Sequence, residues 1–160
     1  MAIHKLDLDD VFDEVSYTLL AIHCSLEDFR VAYLLNKKLN IHLKRKPTDI
    51  DFNGRSHYPI FAWDDTKQRV NWNLVSNICK VESLQNKDQN SLFNTQDTIT
   101  KTAFLLPEYK KVNYLLKIEN EFHFSKEKYI LNQILSIPQI VTAYSVNSST
   151  IKSKDNLIFN

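Results

Sequence analysis

A single glycine, Gly54, stands in a chain of 160 residues, and that scarcity narrows the possible folds and chemistries more than any other feature. Loops that cradle phosphate bring several backbone amides against the anion, and most of those positions need a residue without a Cβ. One glycine therefore excludes the dinucleotide fingerprint, the Walker P-loop and the protein-kinase loop. The nucleophile elbow of the hydrolases, a serine between two glycines, falls with them, and no HExxH zinc motif occurs.

The length fits one domain that buries a real core without metal or disulfide support. Nine Phe, seven Tyr and two Trp supply aromatic core material. Twenty basic residues against nineteen acidic ones leave a net charge of +1, unlike the strongly basic balance of a dedicated nucleic-acid binder. Cys24 and Cys79 lie far apart among apolar neighbours, which reads as two reduced, buried thiols in a reducing compartment. The first residues lack the apolar core of a signal peptide, and no apolar run approaches the ~20 residues that span a bilayer. A cytoplasmic protein is the expectation.

Along the chain, residues 3–8 alternate weakly and suggest a short strand, followed by an acidic stretch over 7–14. Residues 17–23 form a nearly continuous apolar run, the pattern of a central strand covered on both faces. Ser25 with Asp28 resembles a capping box, and the helix it opens should reach Leu39 with Phe29, Ala32, Leu35 and Leu39 on its apolar stripe. Ile41 and Leu43 alternate with His42 and Lys44 as a short strand. Asn53-Gly54 signals a tight turn. Strands follow over 58–63 and 70–75, the first near an edge because Pro59 cannot donate to a ladder. Another short strand is expected over 78–81, a polar loop over 84–98, and a strand over 99–106. Val112, Tyr114, Leu116 and Ile118 repeat every second residue as a strand with one buried face. Ser125 opens a second helix with Ile130, Leu131, Ile134 and Leu135 inward, stopped by Pro138. Residues 140–146 make the last strand.

Two strand–helix–strand units in one chain predict an α+β fold of the ferredoxin-like, split βαβ kind. Its antiparallel sheet would carry two helices on one face and a β-hairpin insertion over about 50–98. The domain is expected to span 1–146, with a disordered tail over 147–160.

Several polar groupings invite a functional reading. Asp49-Ile-Asp51-Phe-Asn53-Gly54 matches the first half of a calcium loop, but the bidentate glutamate required at position twelve is replaced by Ile60, so the stretch reads as a solvated turn. No metal site and no cofactor are expected. Arg30, Lys37, Lys38, Lys44, Arg45 and Lys46 form a basic series that could meet nucleic-acid phosphates, with Trp63 and Trp72 as stacking faces. The plainer account is a charged edge that discourages strand addition, with core tryptophans. The acidic stretch over 7–14 could chelate a divalent cation or pair carboxylates for acid–base work, but no further ligand stands beside it at the right spacing, and a solvated charged turn is the plainer account. His23-Cys24 is the best catalytic candidate, because a thiol at a helix N-terminus is held as thiolate. Neighbouring strand residues point to opposite faces, however, and no catalytic residue is assigned.

The segment Leu106-Pro107-Glu108-Tyr109-Lys110-Lys111-Val112-Asn113-Tyr114 resembles the signature of the IPExxxVDY family, small bacterial proteins named after that motif. The surrounding Ser25-Leu26-Glu27-Asp28-Phe29-Arg30, Ala32-Tyr33-Leu34-Leu35-Asn36 and Leu115-Leu116-Lys117-Ile118 agree, so the resemblance covers most of residues 3–146. Leu106 replaces the motif's Ile, and Asn113 replaces its Asp. An Asp acting as metal ligand or general base would not tolerate Asn. The resemblance implies no activity. Read from the residues, Pro107 presets a turn, Val112 and Tyr114 share a strand face, and Glu108 is either an acceptor for nearby backbone amides, the favoured role, or a site residue.

The function this supports is a non-enzymatic interaction or small-ligand regulatory module with a protein partner or a second copy, away from membranes. An RNA-associated protein using the basic edge is the alternative. An enzyme of unrecognised type using Cys24, His23 and Glu108 comes third.

Overall fold

The computed structural model describes residues 17–52, 54–85, 97–120 and 126–159. The expected strand over 3–8, the acidic stretch over 7–14, Ser125 and much of the polar loop over 84–98 lie outside the described residues.

In chain order the elements are β1 (Tyr17–His23), α1 (Asp28–Leu39), β2 (Lys44–Arg45), β3 (Ile50–Phe52), β4 (Ser56–Tyr58), β5 (Ile60–Asp65), β6 (Val70–Ser76), β7 (Ile78–Gln85), β8 (Asp97–Phe104), β9 (Tyr114–Asn120), α2 (Glu127–Leu135) and β10 (Thr142–Val146). Among the described residues, short 3-10 turns at Pro107–Tyr109, Ser148–Thr150 and Lys154–Leu157 complete the path. The fold is mixed α+β. A six-stranded sheet runs in the order β10-β1-β9-β6-β5-β2, with every described pairing antiparallel. Two hairpins, β3–β4 and β7–β8, stand outside it.

Register decides which side chain faces which layer. Leu20, Leu116 and Leu74 lie in one row across β1, β9 and β6, and Ala21, Leu115 and Val75 lie in the next. Successive strand residues point to opposite faces, so the first row meets the helices and the second meets the opposite side. Beneath the helices, Leu20, Ile22, Trp72, Leu74, Leu116 and Ile118 pack with Val31, Ala32 and Leu35 of α1 and Ile130 and Ile134 of α2. On the other face, Leu19, Ala21, Ile60, Val75 and Leu115 pack with Leu105, Leu106, Val112, Ile151 and Leu157.

That second layer corrects the expectation of a disordered tail over 147–160. Through residue 159 the chain folds back in two short turns, burying Ile151 and Leu157. Burial of each such side chain contributes about 2 kcal/mol toward holding the segment in place. The same layer explains why residues 114–118 of β9 are all buried where alternation promised one buried face.

Other differences are local. Glu27 caps α1 without a side-chain bond, so Ser25 and Asp28 form no capping box; Asp28 instead accepts from the Phe29 amide. Phe29 lies off the arc of Val31, Ala32 and Leu35 and is 56% exposed. Leu135 is likewise exposed at the end of α2. The strand expected at Ile41 and Leu43 shrinks to β2, paired to β5 at the sheet edge, far from β1. Ile41 and Leu43 are nonetheless buried, and the Asn36 side chain holds Leu43 by both its N–H and its C=O. The polar loop is shorter than expected, since β7 and β8 run on to Gln85 and from Asp97.

Scarce glycine leaves its mark on the turns. Gly54 takes φ 65° in the β3–β4 turn, where its amide donates to Asp51. Asn40 and Arg69 occupy the same left-handed region at φ 54°. Asn adopts it readily; for Arg69, closing the β5–β6 turn, the conformation carries strain of about 1 kcal/mol.

Candidate functional site

The signature segment leaves β8, makes a 3-10 turn at Pro107–Tyr109 and enters β9. Pro107 sits in the first turn, where its missing N–H is no loss. The segment wraps around Asn77, the residue between β6 and β7, which is completely buried. The Nδ2 group of Asn77 donates to the carbonyls of Tyr109 at 2.8 Å and Val112 at 2.9 Å. Its Oδ1 accepts from the Leu106 amide at 2.8 Å. Its own N–H donates to the Asn113 carbonyl, and its carbonyl accepts from the Leu105 amide, both at 2.9 Å. One side chain thus satisfies the Leu106 N–H and the Val112 carbonyl and adds a second bond to the Tyr109 carbonyl, which also accepts from the Val112 amide. Sequence reasoning passed over Asn77. Its only signal was a lone amide between two strand patterns.

The motif's own polar residues face outward from that clasp onto other elements. Asn113 Oδ1 accepts from the Cys24 amide at 3.0 Å, and the Asn113 N–H donates to the Ile22 carbonyl. The Tyr114 hydroxyl donates to the Leu26 carbonyl, pinning the loop that leads into α1. Burial, and then the nearby carboxylates and thiol, push that phenol up to about 12. Glu108 accepts from the Ser153 hydroxyl at 2.6 Å and the Ser153 amide at 3.1 Å, fastening the C-terminal turn. Leu106 and Val112 are buried in the tail-side layer.

The catalytic candidates do not converge. Cys24 is buried under the helices and donates its thiol to the Gln139 carbonyl. α1 begins four positions later, at Asp28, so the thiol is not at the helix N-terminus. His23 faces the other way, its Nε2 at 3.1 Å from the Tyr144 hydroxyl. Glu108 is committed to Ser153. Cys24 and Cys79 are both free thiols.

Arg30 lies at the start of α1 and Lys37 and Lys38 at its end, about 10 Å further along the axis. Lys44 and Arg45 are exposed on β2. Arg45 is held by Asp49, donates to the Lys46 carbonyl and lies over the Phe61 ring. Trp72 is buried, while half-buried Trp63 meets the edge of His42. The calcium-like aspartates serve locally, Asp49 on Arg45 and Asp51 on the Gly54 amide.

One buried charge escaped the sequence. Lys117 of β9 is only 5% exposed, although it follows Leu116 and precedes Ile118 on the strand. Its ammonium donates to the Leu157 carbonyl at 2.8 Å, pairs with Glu119, and lies about 5 Å from the rings of Tyr17 and Phe159. It holds the tail from inside the sheet. A shallow depression of about 190 Å³ between Lys46, Asp49, Ile60 and Phe159 adjoins the tail. Among the described residues no cluster of His, Cys, Asp and Glu could hold a metal ion, and no helix is long and apolar enough to cross a membrane. No family model, no curated protein and no solved structure matches the chain.

Proposed function

We propose that this chain is a non-enzymatic interaction module, related to the IPExxxVDY proteins through its 106–114 segment and built on a split βαβ core. The strand order supports the core. β10-β1-β9-β6 places the strands in the sequence fourth, first, third, second, with α1 between the first and second and α2 between the third and fourth. In this reading β6, not the strand at Ile41 and Leu43, closes the first unit, and β2 to β5 are inserted ahead of it.

The observation that carries the functional reading is the occupation of the motif's polar groups. Asn113, Tyr114 and Glu108 each bond a backbone or tail group, as a structural clasp requires. The Asn at position 113 fits this account, because an acceptor for the Cys24 amide is the role and Asn supplies one as well as Asp does. A module of this kind works in a reducing, cytoplasmic setting through its sheet or by binding a small ligand beside it. The RNA reading lacks a comparable observation, since Arg45 is already held by Asp49.

Two measurements test the reading together. The tagged protein, isolated from its own cells, should bring down a partner in stoichiometric amount or respond to a metabolite in a thermal-shift screen. Native Cys24 should resist iodoacetamide at neutral pH. Rapid alkylation of Cys24, or a strict monomer with neither partner nor ligand response, would contradict it.

A further inference from the structure

The six-stranded sheet ends in two unlike edges. One is β2, two residues long, with Lys44 and Arg45 followed by Lys46 and Pro47. Short length, lysine and proline are the devices that keep a sheet edge from pairing. The other is β10, Thr-Ala-Tyr-Ser-Val, with neither charge nor proline. Among the described residues no strand lies on its outer side, so the outward N–H and C=O groups of alternate residues have no ladder partner.

The surroundings of β10 are equally plain. Residues 129–151 contain no Asp, Glu, Lys, Arg or His, although charged residues make up 24% of the chain. This uncharged run covers all but the first two residues of α2, the connection and β10, and α2 packs against β10. Its apolar side chains are open to solvent: Val141 is 79% exposed, and Tyr129, Leu135 and Tyr144 are exposed as well.

We propose that β10 pairs antiparallel with β10 of a second copy, joining two six-stranded sheets into one across a two-fold axis. The proposal rests on the interaction reading and names its partner. An unprotected edge strand is satisfied by another strand. An antiparallel pair about a two-fold axis is self-complementary, and with Tyr144 at the axis Thr142 faces Val146 and Ala143 faces Ser145. A surface without charge meets its own image without repulsion, and depletion of charge with exposed aromatic groups is the composition of a homodimer core. The guarded β2 edge cannot receive β10, so assembly closes at two copies and does not propagate as a fibre.

The test is light scattering coupled to size exclusion on the whole chain, with Val141→Lys and Tyr144→Lys beside the wild type. The expected result is twice the chain mass for the wild type and a dissociation constant raised at least ~10-fold in each variant. Val141 is mostly in solvent, so its variant should keep the wild-type unfolding midpoint and show that the fold is intact. In a Cys79→Ser background, Tyr144→Cys should cross-link between copies on oxidation. A monomer at every concentration, or a dimer that both lysine variants leave intact, would overturn the proposal. A monomer with β10 amides protected from exchange would place the chain's own residues on the edge, which also overturns it. A monomer that still brings down a stoichiometric partner would sink self-pairing alone; one that brings down nothing and answers to no ligand sinks the interaction reading too.

Discussion

Asn113 shows how much a residue's role depends on which of its atoms is used. Its Oδ1 accepts one backbone bond, and a carboxylate oxygen would do the same. Asn113→Asp is therefore expected to change stability by less than about 1 kcal/mol, while Asn113→Ala, which leaves the Cys24 amide without its acceptor, costs about 1–2 kcal/mol in urea unfolding. Equal losses in both variants would show that the amide nitrogen matters. Tyr114 adds a pH dependence. Its phenol titrates near 10 in the unfolded chain and about 12 in the folded one, because burial disfavours the phenolate. The folded state holds the proton longer, so this contribution is complete below pH 10 and is lost as pH climbs through about 12. Tyr114→Phe should lower stability by about 1 kcal/mol at pH 8 and flatten the decline above pH 10. An unchanged alkaline slope would assign that decline to other groups.

At the scale of elements, strands with continuous apolar character were the most legible in the sequence. Residues 17–23 became β1 because both faces are covered, and the runs near Phe61 and Trp72 became β5 and β6. The tail was not legible. Its Ser, Asn and Lys content describes a segment that cannot fold alone, yet Ile151 and Leu157 are buried where Leu105, Leu106 and Leu115 offer an apolar face, and Glu108 and Lys117 bond the backbone beside them. Lys117 was hidden for the same reason, since its neighbours Leu157 and Phe159 arrive from forty residues downstream. Lys117→Met keeps the apolar stem but removes the donor to Leu157 and the partner of Glu119, with an expected cost of about 2 kcal/mol. Limited proteolysis should then cut within residues 147–159 earlier than in the wild type. Equal cleavage would show that apolar packing alone retains the tail.

For the whole molecule, one layer carries helices and the other carries the signature segment and the tail, and the sheet between them is where sequence distance collapses. Asn77 bridges about thirty residues to the signature segment, Asn113 reaches Cys24, and Glu108 reaches Ser153. The motif itself was visible as a string, and its proline turn and buried Val112 were readable from residue type. Its purpose was not, because each bond partner lies on another element. In the proposed reading those polar residues serve structure, and the uncharged β10 edge is the surface through which the molecule acts.

The most direct measurement is the chemical unfolding of Asn77→Ala beside the wild type. Removing this amide leaves the buried Leu106 N–H and the Val112 carbonyl without their partner and takes one of two donors from the Tyr109 carbonyl, so the clasp account predicts a loss of about 3 kcal/mol with the m-value unchanged. A variant as stable as the wild type would contradict it, since the signature segment would then be held by something other than Asn77.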